Sequence, residues 1–387
     1  MLVIVDYSAS FNNVQFDTIR ALSLIDAKTS ELTFSSCSFT DIYSFSIRNL
    51  SDSSSCSIDY SVFSNAITDV TFQFKNSTFN LLNTEMINIT TQSFLMTEMS
   101  DIEVNTLIVH NSTTLDTFIK AVETGMRVEH LHLYYSNISE LFQISESRVD
   151  LFSVEFGSTN DLSNSLFNLS GSTVDVHFID ISGPFTTNHS LIKVQGSTLK
   201  ATQFNVDQLT SPLLFSYESS ITFDELFILN VNGDRLISIY FSNSTFSNLS
   251  ISNFHSKSDN STILVTSSTL SLNHLLVDQI TSTNFLFFND SVGLFSNSKL
   301  EYAKFSTCFI NLLSSTFRFE NFTTNDVNVT SIFQLDRPGI YCEKVMISRA
   351  ISSSVLISKY SVITFSKFAH WKLRVLVMNL PLYEILH

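Results

Sequence analysis

Residues 173–197 read TVDVHFIDISGPFTTNHSLIKVQGS, and the same plan recurs in residues 198–220 (TLKATQFNVDQLTSPLLFSYESS) and 221–243 (ITFDELFILNVNGDRLISIYFSN). Each stretch begins with apolar residues that alternate with polar ones, crosses a polar linker, and closes on a short apolar run before a Ser, Asn or Gly turn. A repeat with a period of about 20 to 50 residues is typical of solenoid proteins. The repeat therefore predicts a solenoid that runs through most of the chain.

The apolar residues of one unit stand at positions 0, +2, +5 and +7, as in Val174, Val176, Ile179 and Ile181. A spacing of two is typical of a strand, and the single step of three predicts a bend that keeps the next strand's side chains inside. The closing run, as at residues 166–169, predicts a third short strand. Three strands per turn predict an all-β fold, a parallel β-helix of about 14 coils with roughly 24 residues per coil.

When the first apolar positions of successive units are aligned, the interval from Leu270 to Leu300 is long and the step to Phe317 is short. This predicts an inserted loop near residues 289–298. Because equivalent side chains stack in such a fold, the 36 phenylalanines predict Phe ladders in the core. The first apolar positions of successive units are Phe11, Leu32, Ile58, Phe79, Ile102, Val128, Val149, Val174, Leu199, Ile221, Phe246, Leu270, Leu300, Phe317, Ile340 and Ile363.

Two polar series recur at the turns. One is expected to form a hydrogen-bonded ladder between coils, at Asn76, Ser100, Ser197, Ser220, Asn243, Ser268 and Ser315. The other is expected to supply left-handed turn residues that bond their own backbone, at Asp41, Asn65, Asn137, Asp180, Asp207, Asn232, Asn253, Asp278 and Asp326. A groove that binds calcium or sugar is the alternative interpretation of the second series.

Residues 172–181, 197–206 and 268–277 carry the pattern S-x-Φ-x-Φ-x-x-Φ-x-Φ followed by a polar turn. This pattern resembles the right-handed parallel β-helix of the pectin-lyase-like superfamily, and the Asn- and Phe-rich repeats of large surface proteins. The resemblance covers nearly the whole chain and implies a fold without an activity. Catalytic members of that group use clustered acidic residues, with calcium and an Arg base in lyases or paired carboxylates in hydrolases.

A leucine-rich-repeat solenoid is the alternative fold, since residues 223–228 and 272–277 fit L-x-x-L-x-L. The second apolar run of each unit argues against it, because these runs are β-branched and aromatic and show no helical period.

A catalytic site on a β-helix needs Asp or Glu at matching positions of adjacent coils. Asp207 and Asp278 share a phase but are three coils apart, and Asp224 and Glu225 are expected to point to opposite faces of a strand. No catalytic residue is therefore predicted, and the chain is not expected to be an enzyme.

Three histidines are candidate metal ligands. His130 and His132 alternate on one strand and His110 lies one coil earlier, but no third ligand shares their phase, so exposed strand residues are expected. Tyr134 and Tyr135 follow, and an aromatic surface there could hold a sugar ring. No metal or other cofactor is predicted.

The charge of the chain argues against nucleic acid as a partner. Charged residues are 15% of the chain and the formal net charge is -15. Without a Lys/Arg cluster, nucleic-acid binding is not expected.

The four cysteines fall at different phases of the repeat: Cys37, Cys56, Cys308 and Cys342. They are expected to be buried free thiols, with a Cys37–Cys56 disulfide as the alternative.

Thirteen N-x-S/T sequons favour secretion only mildly, because Ser and Thr are so common in this chain. The candidate glycosylation sites are Asn76, Asn88, Asn111, Asn137, Asn243, Asn248, Asn260, Asn321 and Asn328.

Both ends of the chain depart from the repeat. Residues 1–10 (MLVIVDYSAS) lack the basic start of a signal peptide and match the closing run of a coil, so we expect a β-helix over residues 1–363 that begins mid-coil. Residues 364–387 are off-pattern, either a cap or sequence foreign to the repeat. No run of eighteen apolar residues occurs, and no membrane span is predicted.

These features predict a non-catalytic extracellular or cell-surface β-helix that acts as a stalk, a scaffold or an adhesin-like module. Surface glycans or other proteins are the expected partners. The alternative is a carbohydrate-active enzyme of the pectin-lyase-like kind, or a sugar-binding protein.

Overall fold

The quoted repeats pair with one another as parallel strands. Val174 pairs with Leu199, and Leu199 pairs with Ile221, so each unit lies beside the next. The computed structural model describes residues 2–157, 161–162, 164–185, 189–256, 260–359, 362–366 and 372–375. The chain is an all-β parallel solenoid of about 14 turns that are about 23 residues apart, as predicted.

The strands follow one another with short corners between them. In chain order they are β1 (Leu2–Val5), β2 (Ser8–Asn12), β3 (Gln15–Lys28), β4 (Glu31–Ser35), β5 (Ser38–Ser51), β6 (Ser55–Asp59), β7 (Val62–Ser64), β8 (Ile67–Lys75), β9 (Thr78–Leu82), β10 (Thr84–Ile87), β11 (Thr90–Glu98), β12 (Asp101–His110), β13 (Thr113–Val122), β14 (Gly125–Tyr134), β15 (Asn137–Ser145), β16 (Arg148–Phe156), β17 (Asp161–Leu162) and β18 (Phe167–Ser170). They continue as β19 (Thr173–Phe185), β20 (Ile192–Gln195), β21 (Thr198–Leu209), β22 (Leu214–Tyr217), β23 (Ser220–Gly233), β24 (Ile237–Tyr240), β25 (Asn243–Ser256), β26 (Ser261–Thr266), β27 (Thr269–Asn273), β28 (Leu275–Asn289), β29 (Val292–Glu301), β30 (Lys304–Leu313), β31 (Thr316–Asn325), β32 (Asn328–Asp336), β33 (Gly339–Lys359), β34 (Val362–Ser366) and β35 (Lys372–Val375).

Helices are absent from the described residues, so nothing in that part of the chain is a helix that could span a membrane. The second apolar run of each quoted repeat is a strand, as β22 shows. This rules out the leucine-rich-repeat alternative for the described residues, because that fold would need a helix or a 3₁₀ turn at this position.

The chain divides into two compact units, each built from the same parallel turns. The first consists of Met1–Val231 with Phe241–Ser244, and the second of Asn232–Tyr240 with Thr245–His387. Both units bury the predicted apolar phases: Val174, Val176, Ile179 and Ile181 in the first, and Leu270, Leu272, Leu275 and Val277 in the second.

Phenylalanine rings stack in the core, as predicted. The Phe39 ring lies 4.7 Å from Phe16 on one side and 4.4 Å from Phe63 on the other, and both pairs are nearly parallel. Each ring therefore covers the ring of the next turn and keeps water out of the narrow interior.

A buried serine closes one corner of most turns. At Ser172, the hydroxyl donates to the carbonyl of Ser170 at 2.8 Å and accepts the backbone N–H of Ser147 at 3.1 Å. The Ser172 N–H in turn donates to the hydroxyl of Ser197 at 3.0 Å. The ladder thus runs through hydroxyls and backbone N–H groups, where the sequence predicted side chains satisfying one another.

This ladder lies one residue away from part of the predicted series. Ser77, Ser219 and Ser242 are the buried corner residues, whereas the predicted Asn76, Ser220 and Asn243 are their exposed neighbours. Asn76 instead adopts a left-handed conformation, with φ of 49°. An amide side chain tolerates that conformation well, because it can bond to nearby backbone.

The predicted left-handed series is confirmed only at Asp41, Asn65, Asn253 and Asp326, each with positive φ. At Asp207 and Asp278 the prediction was wrong by one residue. The following residues, Gln208 and Gln279, take the left-handed conformation there. Asn137, Asp180 and Asn232 do not have positive φ either and lie within strands.

The predicted insertion after Leu270 was wrong. Leu270 pairs with Gly293, and Gly293 pairs with Phe317, so the turn has ordinary length. Leu300 instead pairs with Val277, on a later strand of the same turn. A glycine occupies the anchor position because the Phe317 ring fills the space that a Cβ at Gly293 would need.

Four other anchors were placed two residues too late. Phe246 lies three residues before Leu249, which pairs with Leu275, so Phe246 matches Leu272 and the buried Ser244 holds the first position. Phe11 and Ile58 both pair with Phe34, and Val128 pairs with Val104. The equivalent first positions hold Ala9, Cys56 and Met126, because Leu32 pairs with Ala9 and Cys56, and Ile102 pairs with Met126. Because the residues at these first positions are small or unbranched, the apolar pattern of the sequence did not reveal where the unit begins.

Cys37, Cys56 and Cys308 are buried thiols that form no disulfide, so the Cys37–Cys56 disulfide is excluded. Cys37 takes the place of a corner serine, since its backbone N–H donates to the hydroxyl of Ser61 at 3.2 Å. Burial raises the pKa of Cys308 to about 12. The side chain of Cys342 lies outside the described part of the chain.

Part of the segment after residue 363 keeps the repeat. β35 pairs in parallel with β33, so residues 372–375 continue the stack of strands. Residues 367–371 and 376–387 lie outside the described residues, and the prediction of a cap or foreign segment there stays a prediction.

Candidate functional site

The predicted histidines lie on one outward surface, which we call the histidine face and define by Glu85, His110, His132, Tyr134 and Glu155. His132 and Tyr134 alternate on β14, with ring centroids 6.2 Å apart. The His110 ring stacks on Tyr134 at 5.2 Å. His130 lies beside His132 at 6.3 Å, so both histidines of β14 share one side of the strand, as predicted.

Acidic side chains flank the histidine face. His132 Nδ1 lies 2.9 Å from Glu155 Oε2, and His110 Nε2 lies 3.7 Å from Glu85 Oε1. Asp180 is the register partner of Glu155 on the next turn. Burial raises the pKa of the Asp180 carboxyl, and the charge of Glu155 raises it further, against a hydrogen bond from Asn205. This places a harder-to-ionise carboxyl next to a histidine-paired one.

Tyr135 does not belong to this face. It is 64% exposed and adopts a left-handed conformation with φ of 53°, because it forms the corner after β14. Of the two tyrosines proposed for a sugar platform, only Tyr134 lies beside the histidines.

A second candidate site is a groove on the outer surface, at the bend between the +2 and +5 apolar positions of consecutive turns. Its wall is a stack of three side chains from consecutive turns, Arg127, Phe152 and His177. The Arg127 guanidinium lies over the Phe152 ring at 4.6 Å from its centroid. The His177 ring lies on the same aromatic at 4.5 Å and is nearly parallel to it, with an interplanar angle of 9°.

The groove beside this stack, here called the corner groove, has a volume of about 330 Å³. Its lining residues are Asp150, Phe152, Asp175, Val176, His177, Lys200, Ala201, Thr202, Thr222 and Asp224. In register, Asp150 pairs with Asp175, Asp175 with Lys200, and Lys200 with Thr222, so these side chains form one column across four turns. The buried Val176 and Ala201 form the floor.

The prediction that Asp224 and Glu225 point to opposite faces of a strand was wrong. Neither residue is buried, because both occupy the bend between the core residues Phe223 and Leu226. The step of three places two consecutive side chains outside, where simple alternation would have sent one of them inward.

A buried carboxyl forms a third feature. Glu140 on β15 is only 4% exposed, and its Oε2 accepts a hydrogen bond from Thr117 Oγ1 at 3.2 Å. Its Oε1 has no hydrogen-bond partner among the described residues. Burial raises the pKa of the Glu140 carboxyl, which hydrogen bonds from Asn168 and Thr117 oppose.

These features do not converge into a metal site. Within the part of the chain that the structure describes, no group of three or more His, Cys, Asp or Glu side chains is placed to hold a metal ion. Asp207 and Asp278, the phase-related acids, are in different compact units. Asp207 accepts a hydrogen bond from Asn230 at 2.8 Å.

The candidate glycosylation sites lie mostly on the surface. Asn76, Asn88, Asn111, Asn137, Asn243, Asn248, Asn321 and Asn328 are exposed. Asn260 is half-buried, and its Oδ1 accepts a hydrogen bond from Arg235 at 3.2 Å. Glycosylation at these positions stays a prediction.

The sequence analysis did not predict the corner groove or Glu140. Phe152 lies two residues before the inward Val154, in the bend, and so is not part of the predicted core ladder of phenylalanines. A signal was available: residues directly after the +2 position, such as Phe152 and His177, share a phase in consecutive units. Glu140 was visible as the one acid opposite Thr117 at a buried position of β15.

Comparisons with known proteins add little to this geometry. No family model matches the chain, and no curated protein matches it. A solved structure described as the PL6 family alginate lyase AlyGC aligns with 93% of this chain and 96% of its own, at 7% identity and a TM-score of 0.18. A TM-score this low supports no conclusion about fold or activity, so the fold rests on the strand register of the chain itself.

Proposed function

We propose that this protein is a non-catalytic extracellular or cell-surface β-solenoid that acts as a stalk, scaffold or adhesin-like module. The supporting observation is the register, which holds outward side chains in columns across consecutive turns. Thr173, Thr198 and Ser220 form one such column of uncharged hydroxyls. A scaffold of this kind presents many weak polar contacts at fixed spacing, which suits recognition of extended glycans or protein surfaces.

The resemblance of the repeat to pectin-lyase-like surface proteins supports the same proposal at the level of the family. The exposed sequons fit an extracellular location, since N-linked glycans are attached to surface positions of secreted proteins. Surface glycans and other proteins are the proposed partners.

The test combines binding and cleavage on the purified protein. A panel of neutral and acidic polysaccharides is incubated with it, and bound protein, new reducing ends and unsaturated products are measured. We expect binding without products. Product formation above a heat-denatured control would contradict the non-catalytic proposal. Labelling of intact source cells with an antibody tests the location, and signal only after permeabilisation would contradict a surface role.

A carbohydrate-active enzyme is the second candidate, and the histidine face favours it. Environments that separate the pKa values of neighbouring acids are typical of acid–base catalysis, and Asp180 next to the His132–Glu155 pair has this character. If products form in the same assay, Glu155→Gln and Asp180→Asn should each abolish them. Products that persist in both variants would exclude this face as their source.

A further inference from the structure

We propose that the corner groove binds one residue of an uncharged glycan, with the sugar ring lying on the open face of His177. This inference rests on the proposed role in glycan recognition and gives that role a site and a ligand class. It goes beyond the histidine face, because the corner groove is built from other turns and other residues.

The aromatic stack ends at His177, whose outer face has no ring of a described residue on it. One face of the Phe152 ring carries the Arg127 guanidinium and the other carries His177, so both faces are covered. His177 has one face on Phe152, and the residue that follows at this position of the next turn is Thr202, which is too small to cover a ring. The outer face of His177 therefore borders the groove, where the C–H face of a sugar can pack on it.

Both hydrogen-bond donors and acceptors lie around the His177 ring. Asp175 and Asp224 supply acceptors, while Lys200 and Thr202 supply donors. Among the described residues, Lys200 forms no ion pair within 4.0 Å, so its ammonium remains available to a ligand. A sugar hydroxyl both donates and accepts, and a site with both kinds of partner matches it.

The charge of the corner groove favours an uncharged ligand. Three carboxylates (Asp150, Asp175, Asp224) line the groove against one lysine, and the whole chain carries a formal net charge of -15. Uronate or sulfated glycans would be repelled, because like charges at close range oppose binding. A bound divalent cation is not the better explanation, because the described residues contain no three-ligand group for a metal.

The size of the corner groove limits the ligand that it can hold. A volume of about 330 Å³ is near the lower end of ligand pockets, which typically span about 300 to 1000 Å³. The groove is therefore suited to a single sugar unit of a longer chain. The polar columns on either side could contact the neighbouring units of that chain.

Saturation-transfer NMR and titration calorimetry on the full chain test the proposal. The probes are neutral gluco-, manno-, galacto- and xylo-oligosaccharides, hexuronate oligomers of the same length, and calcium chloride alone. We expect at least one neutral oligosaccharide to bind, and hexuronates and calcium not to bind at this groove. His177→Ala should weaken binding by about tenfold, and His177→Phe should retain it, because a ring is kept.

Asp175→Asn and Asp224→Asn report the polar contacts, and each is expected to weaken neutral-sugar binding by about tenfold. His255→Ala, an exposed histidine of the other compact unit, is the matched control and should change nothing. Unfolding curves for every variant separate a lost site from a lost fold.

Equal binding by wild type and His177→Ala, preference for hexuronates, or calcium binding that Asp175→Asn abolishes would each overturn the inference. Glycan binding that survives in His177→Ala would leave the general role in glycan recognition intact while removing this site. Binding of no oligosaccharide at all would overturn the inference, whereas the scaffold proposal would still be decided by the polysaccharide, cleavage and cell-surface assays.

Discussion

At the residue scale, Glu140 is the most unusual side chain of the described core. A carboxyl that is 4% exposed loses most of its hydration, and the hydrogen bonds from Thr117 and Asn168 offset that loss only in part. An ionised carboxylate in such a place is costly, so the group holds its proton to higher pH than an exposed glutamate does.

Glu140→Gln is expected to stabilise the protein at neutral pH. The pKa of Glu140 is raised in the folded state, so the folded state binds more protons than the unfolded one above the ordinary value of 4.5. The wild type therefore loses stability as pH rises through the folded pKa, and glutamine avoids that loss. Urea unfolding should give a gain of about 1 to 2 kcal/mol at pH 7, shrinking as pH falls toward 4.5.

Glu103→Gln provides the comparison, since Glu103 is exposed on β12. Its effect on the free energy of unfolding should be small and nearly independent of pH. A pH-independent gain in Glu140→Gln would show that the pKa of Glu140 is not raised in the folded state. A loss that grows toward pH 7 would show that the buried carboxyl is ionised and satisfied there.

At the element scale, the corners explain why sequons are so frequent. Asn76 and Asn111 are left-handed, the buried corner serines Ser77 and Ser112 follow them, and an outward threonine then begins the next strand. Left-handed backbone favours Asn, the ladder requires a small hydroxyl, and the strand favours Thr. These three local demands spell N-S-T, so such sequons arise from the fold whether or not glycans are attached.

Gly293 is the element-scale position where a side chain cannot be added. A Cβ there would overlap the Phe317 ring, which also packs edge-on against Phe288 at 5.0 Å. Gly293→Ala should therefore lower the free energy of unfolding by about 1 to 3 kcal/mol, measured in urea. The double variant Gly293→Ala with Phe317→Leu should lose less than the sum of the two single losses, because leucine frees the space.

Gly339→Ala is the matched control for that prediction. The nearest atoms to a Cβ at Gly339 are side-chain atoms of Thr316, at 3.8 Å and beyond, which is ordinary contact. Its stability should stay close to that of the wild type. Additive losses in the double variant would mean that Gly293 is required for a reason other than the Phe317 ring.

At the scale of the whole molecule, each turn contacts mainly the turns on either side of it, so the fold should tolerate loss of a complete turn. Asp101 pairs with both Thr78 and Gly125, which makes residues 101–124 one full turn. Without them, Gly125 can take the place of Asp101 and every inward position stays inward. We expect this deletion to fold, with a β-type circular dichroism spectrum and a cooperative unfolding transition.

A deletion of residues 101–112 is the contrasting case. It removes half a turn and brings strands of different faces into one position, so inward and outward side chains no longer match. This variant should aggregate or lack a cooperative transition. Equal behaviour of the two deletions would show that stability does not depend on keeping whole turns.

The repeat and its inward-facing positions can be predicted from the sequence alone. The period, the inward phases at Val174, Val176, Ile179 and Ile181, and the stacking of phenylalanines follow from local alternation, which a single repeat already displays. The prediction failed where an anchor was glycine or small, at Gly293 and Ala9, because hydropathy cannot see a position filled by a neighbour's side chain.

The tertiary structure alone decided which outward residues meet. Phe152 and His177 are 25 positions apart, and only the strand register places their rings 4.5 Å from each other. Turns vary in length by a residue or two, and each such change shifts every later column. Sequence periodicity predicts the inward-facing residues, because a polar residue shifted into the core would be costly. The outward columns that form the corner groove depend on the exact number of residues in every turn, which sets the register of the strands.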